Sequence, residues 1–117
     1  MPSFIKSVSY AVNGLKIAFS EKHVKIHLIA AIVVITAGLY FHITVIEWCI
    51  LLFCIGIVLA LEIINTAIEH FVNLVEPNKN PKAGAIKDLA AGAVLIFSLI
   101  TIIIGIMIFW KYILALL

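Results

Sequence analysis

Between Leu61 and His70 the sequence reads LEIINTAIEH, with Glu62, Asn65, Thr66 and Glu69 at positions i, i+3, i+4 and i+7. On an α-helix that spacing gathers all four on one face, and Glu76 extends the stripe by another seven residues. Two carboxylates held along one face repel and coexist only with a proton or a cation. A divalent ion meets that need: Mg2+ takes one or two carboxylates and fills its shell with phosphate oxygens. A carboxylate placed deeper can instead take a proton from a hydroxyl, as a general base.

Composition makes the placement unusual. The chain has 117 residues, 65% hydrophobic and 12% charged, against roughly half apolar and a quarter charged in soluble domains. Its mean hydropathy of +1.27 belongs to a membrane protein. A net charge of +2 is too small to argue for nucleic acid as a partner. Cys49 and Cys54 lie in apolar sequence with no His or Cys at metal spacing, and read as small hydrophobes.

A helix needs about 20 residues to cross about 30 Å of hydrocarbon. Three stretches of one domain, 1–117, meet that length, at about 26–46, 48–75 and 87–110. The second does so only if it includes Glu62, which puts the polar stripe within or at the edge of the bilayer. Glu62 lies about 20 Å along the helix axis from Glu76. An acidic group at mid-helix costs on the order of 2.5–3.5 kcal/mol on insertion scales, so Glu62 is a functional candidate by default. The structural alternative is that polar groups glue helices together, which is the role expected of Ser98 and Thr101 and is open to Asn65 and Thr66. Residues 3–20 differ. Phe4, Val8, Ala11, Val12, Leu15 and Phe19 share one helical face and Lys6, Ser9, Asn13, Lys16 and Ser20 the other, as in a helix lying in the interface.

Lysines set the expected orientation. Lys6, Lys16, Lys22 and Lys25 precede the first span and Lys79, Lys82 and Lys87 lie between the second and third, seven of the eight basic residues. The positive-inside rule makes that side cytoplasmic, with the N-terminus inside and the C-terminus outside. EPNKNPKAGAIK is then the cytoplasmic connection. Glu21, just before the first span, and Lys87-Asp88, opening the third, fall at the same level. Singly, Glu21 reads as a solvated charge and Lys87 as an anchor. Together with the stripe they make a phosphoryl-transfer set without a P-loop: two metal carboxylates, a cation for phosphate and a deeper base.

Glu62-Ile-Ile-Asn-Thr-Ala-Ile-Glu69, followed by Lys87-Asp-Leu-Ala-Ala-Gly-Ala-Val94, resembles the signature of the bacterial diacylglycerol kinase family, small three-span lipid kinases that include undecaprenol kinases. The likeness runs from Phe4 through Gly14-Leu15, Glu21 and His27 to the third span. It implies an all-α integral membrane protein, an interfacial helix plus three transmembrane helices, assembled as a homotrimer in the bacterial inner membrane with MgATP as phosphoryl donor. Carried over by position, it makes Glu62 the general base and Asn65 the essential asparagine. Glu21 and Glu69 become the metal carboxylates, Lys87 and Asp88 the nucleotide contacts, and Tyr10 an aromatic neighbour of adenine. Asn73 stands where the family often has Asp. The wording LEIINTAIEH and KDLAAGAVL is nearer the undecaprenol-kinase branch than the enterobacterial one, and both lipid alcohols stay open. A rival from another class is a non-enzymatic helical oligomer with Glu62 lining a pore, which predicts metal-independent ion flux and no use of ATP.

Overall fold

The computed structural model describes residues 2–117 as four helices: α1 (Pro2–Phe19), α2 (Lys22–Phe41), α3 (Val45–Val75) and α4 (Pro81–Leu116). No strand occurs among the described residues. Helices α2, α3 and α4 are each long and apolar enough to cross a membrane. The expected all-α architecture, three spans preceded by an amphipathic helix, is the one found. Principal extents of 54 × 44 × 20 Å make the chain a slab, about two helix diameters thick.

Helix ends depart from the expected bounds for local reasons. The first span stops at Phe41 instead of near residue 46, because His42 takes the left-handed conformation (φ 53°) that closes a helix. Thr44 then caps α3: its hydroxyl accepts from the Glu47 amide at 3.2 Å, and the Glu47 carboxylate accepts from the Thr44 amide at 3.0 Å. The α2–α3 turn is therefore tight. At the other end the break is shorter than EPNKNPKAGAIK suggested. Asn80 caps α4 by accepting from the Lys82 amide at 2.9 Å, and Pro81 occupies the first turn, where its missing N–H costs nothing. Only Glu76 to Asn80 remain outside helix, and Lys87 stands two turns into α4.

Helix α3 is the axis of the fold. Both α2 and α4 pack on it and only marginally on one another, while α1 packs chiefly on α2. The buried side chains of α3 are Leu51, Cys54, Val58, Glu62 and Val72, a single seam at helical spacing. The polar stripe thus prolongs the apolar seam. At the α2–α3 turn, Ile43, Leu51 and Ile108 form a small core flanked by Phe41, Trp48, Phe109 and Tyr112. Gly38 is required there: a Cβ would lie 2.7 Å from Trp48 Cη2. Most other large apolar side chains face outward, Ile103, Ile106 and Met107 of α4 among them. For a helix in hydrocarbon that costs nothing.

Candidate functional site

The stripe on α3 is graded in depth. Glu62 is 4% exposed, Asn65 and Thr66 are half-buried, and Glu69 is exposed. Glu62 is the one buried charged residue among the described residues. Its carboxylate faces α2, where His27 Nε2 stands 3.6 Å from Oε2. That is longer than a hydrogen bond and close enough for one to form with a small shift. Thr66 does not serve the carboxylate. Its hydroxyl donates to the Glu62 carbonyl at 3.0 Å, satisfying itself within the helix.

Glu21 lies at the α1–α2 junction as the residue preceding α2, half-buried, with Oε1 3.1 Å from His70 Nε2. The fold therefore brings Glu21 beside the stripe through His70, the neighbour of Glu69. Glu69 has no ion pair among the described residues. Among the described residues, no group of three His, Cys, Asp or Glu converges in a way that could hold a metal. The donors present are two hard carboxylates, a set that suits Mg2+ only when phosphate oxygens and water complete the shell.

Lys87, expected to contact a nucleotide, donates a hydrogen bond to Asn73 Oδ1 across the α3–α4 loop. The two line a polar hollow of about 310 Å3 with Glu76, Asn78, Lys79 and Asn80. Asn73 and Lys87 are thus brought together. Asp88 is exposed. Tyr10, 72% exposed on α1, is not brought against this hollow, because α1 packs chiefly on α2.

A second space lies between α2 and α4 over α3, a groove of about 540 Å3 with almost wholly apolar walls. His27 stands on its lining, as do Ser98 and Thr101 of α4. The hydroxyl oxygens of Ser98 and Thr101 are buried without a partner. Their expected bonds across the bundle do not form within one chain.

Two histidines of this site were not assigned a role from sequence. His70 is visible in LEIINTAIEH as the residue after Glu69. His27 is 35 positions from Glu62 and on another helix, so only the fold pairs them. A third feature was missed at the opposite end. Glu47 accepts from Tyr112 Oη at 2.5 Å and pairs with Lys111 Nζ at 2.9 Å, and its partner Thr44 completes the sequence signature T-x-x-E.

Comparison with known proteins identifies the family. The family described as prokaryotic diacylglycerol kinase matches residues 9–109. Undecaprenol kinase of Bacillus subtilis is 42% identical over 107 residues, 91% of this chain and 87% of that protein. A diacylglycerol kinase of Synechocystis is 35% identical over 89% of this chain and 61% of its own length. That of Escherichia coli K12 is 25% identical over 92% of this chain and 89% of its own. On a match that takes in the polar stripe, Glu21, Lys87 and all but the ends of the chain, this protein belongs to the prokaryotic diacylglycerol kinase family of membrane lipid kinases.

Proposed function

We propose that this chain transfers the γ-phosphoryl group of ATP to the hydroxyl of a membrane lipid alcohol at the cytoplasmic face of the bacterial inner membrane. Undecaprenol is the preferred substrate and diacylglycerol the alternative. The observation that carries the reading is the buried carboxylate of Glu62, two turns along α3 from the exposed Glu69. A lipid alcohol keeps its hydroxyl near the interface while ATP arrives from water, so the chemistry needs a base below the surface and a phosphate-binding site at it. The graded stripe supplies that order, with Glu62 and Glu69 about 10 Å apart along the helix.

In this reading Glu62 accepts the hydroxyl proton as the oxygen attacks the γ-phosphorus, and Asn65 orients the hydroxyl or Glu62 itself. Lys87 brings its charge to the phosphates, leaving Asn73 to do so, with Asp88 alongside. Glu21 and Glu69 would hold Mg2+, which would supply neutralisation of phosphate charge, Glu21 giving up its contact with His70. Phosphoryl transfer depends mainly on positioning and charge, so little further machinery is required.

The working unit is a homotrimer with sites between copies. One chain leaves Tyr10 away from the Lys87 hollow, leaves Glu69 with no ion pair among the described residues, and leaves the apolar face of α1 exposed at Phe4, Val8 and Leu15. An α1 supplied by a neighbour remedies all three.

The test is phosphorylation by purified protein in lipid with radiolabelled ATP, undecaprenol and diacylglycerol side by side. Faster turnover of diacylglycerol would reverse the preference, and turnover of neither, with metal-independent ion flux, would favour the pore. Orientation is checked in a cysteine-free background. Impermeant reagent added to intact cells labels cysteines placed at Thr44 or the C-terminus and leaves Asn78 unlabelled, whereas labelling at Asn78 overturns the N-inside arrangement.

A further inference from the structure

We propose that His27 is the relay that returns Glu62 to its charged state after each turnover; this rests on Glu62 being the base. Glu62 is 4% exposed. His27 is the one ionisable side chain paired with it among the described residues, Nε2 lying 3.6 Å from Oε2. Its own side chain is 25% exposed, against 5% for that of Glu62. It sits in the second turn of α2, near the entry of that helix into the bundle. The geometry is a buried carboxylate with a partly exposed imidazole beside it, near the start of α2.

The step balances as follows. The O–H bond of the lipid alcohol breaks and its proton goes to the Glu62 carboxylate. An oxygen lone pair forms the new bond to the γ-phosphorus, and the bond to the β,γ-bridging oxygen breaks with its electron pair leaving on ADP. Protonated Glu62 then gives its proton to Nε2 of neutral His27, and the imidazolium loses a proton to cytoplasmic water. One proton is released per lipid phosphorylated.

His27 acts through Glu62, so a loss of turnover alone would not separate a relay from a packing role. The discriminating comparison is a single turnover against many. Rapid-quench assays use purified protein in lipid with MgATP and either lipid alcohol. His27→Gln, which keeps the size of the side chain, should phosphorylate the first lipid within about threefold of the wild-type rate. Its multiple-turnover rate should fall roughly tenfold or more, the scale of a lost proton transfer. Added imidazole should restore multiple turnovers to His27→Ala. First and later turnovers falling together without a response to imidazole, or no change in either, overturns the relay. The reading beneath it fails differently: Glu62→Gln with a normal first turnover removes the base itself, while an inactive Glu62→Gln beside an unaffected His27→Gln keeps the base and removes the relay.

Discussion

At the α2–α3 turn, Glu47 is held from three sides, by the Thr44 amide, Tyr112 and Lys111. At the opposite end Glu62 has His27 at 3.6 Å, Glu21 has a half-exposed His70, and Glu69 has no ion pair among the described residues. The same side chain is used in two ways. Glu47 closes a network whose donors and acceptors are matched inside the chain, beside an aromatic cluster in which Phe41 stacks near Phe109 and Tyr112 with centroids 6.0 and 5.7 Å apart. The carboxylates near the α3–α4 loop are left with pairs that a ligand can replace. Unmatched charge is expensive in a bundle, and its concentration at one end marks where MgATP and a hydroxyl are expected to complete it.

Five substitutions would sharpen or break this contrast. The largest effect is expected from Glu62→Gln, which is nearly isosteric and should lower kcat by roughly 10² to 10⁴. Its melting temperature should hold or rise, since a costly charge has been removed. Near-normal lipid phosphorylation by the folded variant would place Glu62 with Glu47 as structure. Next come Glu21→Gln and Glu69→Gln, read as the apparent KM for MgATP. Each should raise it about 10- to 100-fold with smaller loss of kcat at saturation, and unchanged Mg2+ dependence in both would return these residues to surface charges.

At the matched end the signs reverse. Glu47→Ala removes the capping partner of Thr44 and strands Tyr112 and Lys111, so the melting temperature should drop by several degrees while turnover per folded protein stays at the wild-type level. A selective loss of turnover would show that the two ends are coupled. Gly38→Ala acts on packing alone, since the new Cβ pushes on the edge of Trp48. A cost of about 1–3 kcal/mol, the usual range for overpacking, should appear in denaturant unfolding without a change in kinetics.

The contrast also explains what could be read from sequence. Three spans and the polar stripe were legible because both are periodic along one helix. Lys87, Glu21 and Glu69 stood out beside it through motif spacing. The end of α2 at Phe41 was not, since apolar residues run on through Val45 and Ile46 and only the left-handed backbone of His42 breaks the helix. Pairings between helices were hidden for a simpler reason. Glu47 with Tyr112 spans 65 positions, and nothing periodic connects them. Thr44-x-x-Glu47 was the one part of that network written locally.

The capping box at Thr44 has a consequence for the lipid surroundings. It fixes where α3 begins, and from Val45 to Glu62 the helix climbs about 26 Å. An upright α3 starting at the outer boundary of a bilayer with about 30 Å of hydrocarbon brings Glu62 to about 4 Å beneath the inner one. The helix thus works as a gauge with a fixed zero. A thinner membrane lifts Glu62 toward water, a thicker one sinks it away from the phosphates, and tilt can offset part of either change. On the proposed reading, acyl-chain length of the host lipid should then control turnover while acting on no residue directly.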